Sequence, residues 1–348
     1  MLNTRIGENY NANDVLNPND LRKRILNIDS RFRSDMSQTS TDFTFKLEHT
    51  YKNLIRLRIA SVEIPNMMYT FTEKNNSFIF KAYDILNIGR SIQLAIPVGN
   101  YTSFDLIILL QSIFDTQVRD KFGIFVNILL EAATAKITIT HTGVASIPFP
   151  VTTPPTAPVP TAPPKPFILD FAITQQYKTR KHNFGLGYNL GFRKQAYKVT
   201  TLKNNAYSQT GECCLDVVGD TYMFLSINDL HTVEQKTDET YIQCLAKVIV
   251  REDRYSVIYD DGATLMSNEI VFPSPIDLKI LQVKLIDPYG EIVDLNCMNF
   301  SFSLEITEVL NTSLYDFYRN YIWLGTIPSV KKASGSQQQL LKGIGPPF

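Results

Sequence analysis

Hydrophobic and polar residues alternate with a period of two through much of this chain. In Ser40–Leu47, Phe43, Phe45 and Leu47 fall on one side and Asp42, Thr44 and Lys46 on the other, which predicts a half-buried strand. The stretch Asn53–Asn66 sets Ile55, Leu57 and Ile59 against Arg56 and Arg58. Its apolar parity then shifts to Val62 and Ile64. A shift inside one strand predicts a bulge that bends the chain around a corner. Further strands are expected at Ser77–Ala82, Ser91–Pro97, Phe125–Leu130, Lys136–Thr140 and Phe167–Ala172. In the second half they are expected at Thr221–Ile227, Tyr241–Val250, Tyr255–Tyr259, Glu269–Phe272 and Leu278–Ile286. Asp287-Pro288-Tyr289-Gly290 reads as a turn with Pro in its second position. The last strand sets Phe300, Phe302, Leu304 and Ile306 inward and Ser301, Ser303, Glu305 and Thr307 outward.

The pattern changes to a helical period once. Thr102 is a good N-cap with Asp105 three residues on, and Phe104, Ile107, Leu110, Ile113 and Phe114 form an apolar face that continues to about Val118. Between Pro148 and Pro166, nine of nineteen residues are proline, which predicts an extended surface loop. Residues 1–25 are rich in Asn and poor in apolar side chains, and the segment from Ser329 to Phe348 is similarly polar. A short aromatic-rich helix is expected at Thr312–Ile322, ending near Trp323.

Composition narrows the function. Lys+Arg and Asp+Glu are each 34 of 348 residues, so the formal net charge is zero. A dedicated nucleic-acid coat is more basic than this. Low net charge weakens the repulsion between copies, which suits assembly. The N-terminal stretch has no apolar core of a signal peptide, and the greasiest run, Leu106–Leu110, is too short to span a bilayer. Cys213, Cys214, Cys244 and Cys297 form no CxxC spacing and read as reduced, buried thiols.

Catalytic chemistry finds little support. Gly185, Gly187 and Gly191 are spaced GxGxxxG, one residue too long for a dinucleotide fingerprint, and no βαβ alternation surrounds them. They read instead as a turn followed by packed Leu190 and Phe192. No GxxxxGK[ST] or HExxH is present, and the four histidines, His49, His141, His182 and His231, lack metal spacing. The expectation is a non-enzyme with no cofactor, no metal and no catalytic residues.

Six segments together resemble the minor capsid and penton-type proteins of nucleocytoplasmic large DNA viruses. They are LRKRILNIDSRFR (Leu21–Arg33), STDFTFKL (Ser40–Leu47), NLIRLRIASVEIPN (Asn53–Asn66), VGNYTSFDLIILLQSIF (Val98–Phe114), LGYNLGFRKQAY (Leu186–Tyr197) and CMNFSFSLEITEV (Cys297–Val309). The resemblance spans roughly Leu26 to Val309 and implies a capsid component made of jelly-roll-like sandwiches. The expected fold is mainly β: jelly-roll-like antiparallel β-sandwiches, two in tandem, with one amphipathic helix in the first half and extended terminal arms. The boundaries drawn are an arm at 1–36, a first sandwich at 37–205 containing the Pro-rich loop 148–166, a second sandwich at 206–310, and a short helix and tail at 311–348.

The expected role is a minor capsid protein that interlocks capsomers through loops and arms, with a vertex penton and a carbohydrate- or receptor-binding module as alternatives. The expected partners are the major capsid protein, other minor capsid proteins and copies of this chain. Proximity to an internal viral membrane is also expected, with no specific nucleic acid. The expected location is the virion capsid, after synthesis in the host cytoplasm. Candidate assembly contacts are Arg22, Lys23, Arg24, Arg31 and Arg33 of the arm, Pro154, Pro155 and Pro158 of the loop, and Trp323. On this reading, deleting residues 1–33 leaves the thermal transition nearly unchanged.

Overall fold

A computed structural model describes residues 20–145, 159–172, 185–236, 241–262, 264–313 and 315–316. The protein is mainly β, with 50% of residues in strands and 12% helical, and its antiparallel sheets include a curled half-barrel. The largest sheet has seven strands. It runs in the order β1 (Leu21–Asp29), β16 (Ser301–Val309), β2 (Asp42–Pro65), β15 (Ile270–Ile286), β10 (Tyr222–Ile227) and β13 (Ala246–Ile249), and β14 (Val257–Asp261) also pairs with β2. Its strands come from both sides of the boundary drawn at 205/206.

The bend in β2 is where the alternation puts it. Ser303 of β16 pairs with Ser61 but Leu304 pairs with Ile59, so Ala60 is the extra residue of a bulge. Ile59 and Val62 are consequently both buried. The two strands expected at 40–47 and 53–66 are one 24-residue strand. Likewise β15 runs through Pro273 and Pro275, where its register against β2 slips repeatedly. The core of this sheet lobe contains Leu54, Leu57, Val62, Ile64, Leu225, Leu281, Leu285, Phe302, Leu304 and Ile306.

The chain between β2 and β10 makes a second lobe. One of its sheets runs β4 (Gly89–Ala95), β3 (Ser77–Tyr83), β7 (Phe167–Asp170) and β8 (Ala196–Val199). The other runs β5 (Ile124–Leu130), β6 (Ile137–Val144) and β9 (Tyr207–Thr210). A third, two-stranded ladder pairs β11 (Val233–Lys236) with β12 (Tyr241–Cys244) beside the large sheet. Helix α1 (Ser103–Phe114) starts as expected: the Thr102 hydroxyl accepts the Asp105 N–H at 3.1 Å. The helical stretch continues through residues 115–122. Leu106, Leu110, Ile113, Phe114 and Val118 face the core, whereas Phe104, expected there, is 71% exposed because it lies off that stripe. The Gln111 side chain completes the join. Its amide donates to Val126 O and its carbonyl accepts the Ile128 N–H, both at 2.9 Å, so it satisfies the open edge of β5.

Residues 21–29 of the expected arm form β1, paired along its whole length with β16. Leu26 and Ile28 are buried opposite Leu304 and Phe302. The basic residues before them concealed the strand, because their partners lie far away in sequence. Removing residues 1–33 therefore takes a strand out of the sheet, and the expectation of an unchanged thermal transition is corrected. The thiols differ too. Cys244 is buried, Cys213 half-buried, and Cys214 and Cys297 exposed, so burial describes one of the four.

Candidate assembly surfaces

The cations of β1 are set against carboxylates of β16. Arg22 Nε and Arg24 Nε each donate to Glu308 Oε2 at 2.9 Å, and the Glu308 side chain is only 6% exposed. Lys23 Nζ donates to Glu305 Oε1 at 3.1 Å, and Arg58 of β2 donates to Glu305 Oε2 at 2.6 Å. Arg58, and to a lesser degree Lys23, holds the Glu305 carboxyl below the usual carboxylate range. Arg31 Nε donates to Asp29 Oδ2 at 2.8 Å. Arg33 donates to the backbone oxygens of Ser30 and Gln38 at 2.8 and 2.9 Å. Of the predicted contacts, Lys23 and Arg31 keep the most exposed side chains. Pro154, Pro155, Pro158 and Trp323 lie outside the described residues.

The two ends of the body meet at one corner. Leu21 pairs with Val309, and the Leu310 N–H donates to Asp20 O at 2.9 Å. Leu21, Ile55, Val309 and Tyr315 form a small apolar cluster beneath that corner. The Pro-rich loop is tied down where it enters and leaves the inserted lobe. Val144 pairs with Ala162, and His141, wholly buried on β6, contacts the backbone of Lys165 and Gly143. A Cβ on Gly143 would lie 2.5 Å from Pro160 Cβ, so glycine is required for the loop to pass this close.

The lobes are joined by two crossings, at residues 66–70 and 216–221, and Arg254 clasps both. Its guanidinium donates to Asn66 Oδ1 (3.1 Å), Met68 O (2.9 Å), Thr70 Oγ1 (2.8 Å) and Val218 O (2.6 Å). Gly219, at φ +78°, lets the second crossing approach: a Cβ there would sit 3.0 Å from Thr70 Oγ1. Lys74 of the inserted lobe also pairs with Glu291 of the sheet lobe. Beside this junction lies a cleft of about 610 Å³ lined from both lobes. Sequence reading missed the clasp and the cleft because their residues are scattered from Asn66 to Asn296.

His141, Cys244 and Tyr197 are buried in packed positions. Burial lowers the affinity of His141 for a proton and pushes the Cys244 thiol up to about 12. Tyr197 is pushed up to about 12 by burial and by Glu212, whose carboxylate accepts its hydroxyl at 2.6 Å. That hydroxyl in turn accepts the backbone N–H groups of Arg193 and Lys194, closing a corner around the Leu186–Asn189 turn. Leu190 and Phe192 after that turn are buried, as the glycine spacing suggested.

No family model and no curated protein matches the chain. Among solved structures, the chain is similar to the mavirus penton protein, at 8% identity and a TM-score of 0.41, over 82% of this chain and 98% of that one. It is also similar to a chain of the Sputnik virophage structure, at 12% identity and a TM-score of 0.35, over 84% of this chain and 99% of that one.

Proposed function

We propose that the protein is a structural component of a virion, a minor capsid protein that cements capsomers through its loops and terminal segments. The observation carrying this reading is the shared corner at Leu21 and Val309, from which both terminal segments of the chain depart. A neighbour meeting that corner engages both segments together. This matters because ordering a free segment costs about 1–2 kcal/mol per residue, so contacts made by arms must be extensive or cooperative. The exposed Lys23 and Arg31 and the anchored Pro-rich loop supply further contact groups. The resemblance to large-DNA-virus minor capsid and penton-type proteins agrees with this role, as does the use of His141, Cys244 and Tyr197 for packing.

Quantitative mass spectrometry of purified particles tests the reading. A molar ratio to the major coat protein well above one ring per vertex supports a cementing role, and one closed ring per vertex indicates the penton alternative. Absence from the particle overturns both.

A further inference from the structure

We propose that the end of the inserted lobe farthest from the crossings docks on an anionic lipid surface. The sheets define this end. Strand β3 starts at Ser77, close to where Asn75 donates to Thr70 O at 2.9 Å, and runs away from the crossings. The cross-strand row Ala82–Phe167–Val199 therefore lies at the far end. Residues 84–88, 120–123, 159–166 and 199–206 close it. Arg90 sits 5.2 Å from the Phe122 ring and Lys165 Nζ donates to Asn87 Oδ1 at 2.7 Å, which brings the second and third segments to the first. Strand β8, which leads into the fourth, is two strands from β3, about 10 Å.

Apolar side chains project from this end. Leu86, 73% exposed, is the most exposed large apolar residue among the described ones, and Ile88, Val159 and Leu202 are exposed as well. The turn beneath Leu86 is held firmly. Asp84 Oδ1 accepts the N–H groups of Leu86 and Ile88, both at 2.9 Å, and Arg90 donates to Asp84 Oδ2 at 2.7 Å. An apolar residue exposed singly needs no explanation, but a braced turn that keeps two of them in water does.

The charge at this end is one-sided. Its four segments contain two acidic residues, Asp84 and Asp120, and three basic ones, Lys121, Lys165 and Lys203. Both carboxylates are already answered by arginines of the flanking elements, Asp84 by Arg90 and Asp120 by Arg119 at 2.9 Å. Lys165 reaches only neutral oxygens, those of Asp84 O and Asn87 Oδ1. Lys121 and Lys203 are exposed and have no carboxylate partner among the described residues.

These features fit lipid better than protein. The apolar side chains stand on turns and a loop, so they offer points and not a recess. A headgroup layer yields to such points, whereas a folded partner needs a matching pocket for each. The uncompensated cations are lysines, compact point charges that suit a diffuse anionic surface, while the arginine forks are spent on carboxylates within the lobe. Shallow apolar insertion combined with lysine attraction is the usual basis of reversible interfacial binding.

Cosedimentation of the full-length protein with vesicles tests this, and it needs no virus particles, so its outcome is independent of the capsid reading. Vesicles with about one-third phosphatidylserine are expected to bind the protein, pure phosphatidylcholine vesicles to bind it far less, and raised salt to weaken the binding. L86S/L202S and K121E/K203E are each expected to lower the partition about tenfold. The controls, I25S and K52E/K279E, alter exposed residues of the sheet lobe and are expected to bind as the wild type does. Absence of vesicle binding overturns the proposal, as does equal loss in the controls. Loss in K121E/K203E with none in L86S/L202S would leave adsorption by charge alone and overturn the insertion. Retention on poly-glutamate beads without vesicle binding would assign this end to an acidic protein instead.

Discussion

The sheet lobe and the inserted lobe build their cores by different means. In the sheet lobe, long strands curl so that one sheet wraps its own interior, and the filling is largely aliphatic. Among the described residues the buried phenylalanines of that interior are Phe43, Phe272, Phe300 and Phe302, while Phe224 packs separately with Ile242 and Cys244. The inserted lobe has short strands in two small sheets that share a core with α1, and seven buried phenylalanines fill it. Phe80 packs edge-on to Phe114 with centroids 5.2 Å apart and tilted against Phe167 at 5.6 Å, while Phe171 stacks on Phe192 at 5.1 Å. A sheet that bends at bulges encloses volume with its backbone. Short strands in two separate sheets enclose less by themselves, and large rings fill the space between them and α1. The cost appears at Gly187, where a Cβ would lie 2.4 Å from the Phe171 ring.

The comparison can be broken most severely at Phe302, which is 1% exposed in the sheet core. Phe302→Asp buries an unpaired charge and is expected to yield insoluble protein, so a soluble variant with a native thermal transition would remove Phe302 from the core. Phe80→Ala in the other lobe is expected to cost about 3–5 kcal/mol. If the lobes unfold separately, calorimetry will show one transition lowered and the other kept. A uniform shift of both would mean that the cores act as one. Arg254→Met addresses the join directly. Loss of its four donated bonds is expected to cost about 1.5–3 kcal/mol and to speed proteolysis at residues 66–70 and 216–221. Cleavage at the wild-type rate would show the clasp to be dispensable.

The smallest effect is electrostatic. Glu305 titrates below its ordinary value of 4.5 because Arg58 and Lys23 favour its charged form. A carboxylate depressed in the folded state contributes stability above the unfolded pKa and loses it as pH falls through the folded one. Stability of the wild type should therefore drop below about pH 4.5, and Glu305→Gln should flatten part of that slope at a cost near neutrality of about 1 kcal/mol or less. An unaltered acid limb in Glu305→Gln would mean that other carboxylates set it.

What was legible in the sequence was local. The β16 alternation holds from Phe302 to Ile306, but Thr307, expected outward, is buried along with Glu308 and Val309. The parity shift in β2, the Thr102 cap and the Asp287 turn each need only a few neighbouring residues, and each stands in the structure. Asp287 Oδ1, for instance, accepts the N–H groups of Tyr289 and Glu291 at 2.9 and 2.8 Å. Hidden from the sequence was everything that depends on distant partners. Arg22 and Arg24 read as assembly contacts until Glu308 is placed beside them. Arg254 gives no sign that it binds residues nearly two hundred positions earlier. Phe104 misled for another reason: a helical stripe is narrow, and apolar character alone does not put a residue on it.

The pairing of β1 with β16 also sets an order of events at the ribosome. Leu21 waits for Val309, so among the described strands the first made is completed by the last, and at about 5–20 residues per second the wait is tens of seconds. The inserted lobe, contiguous between them, is free to close earlier. A chain that stops short of β16 leaves β2 with a bare edge, exposed to other nascent copies. Synthesis through Val309 is thus the condition for closing that edge.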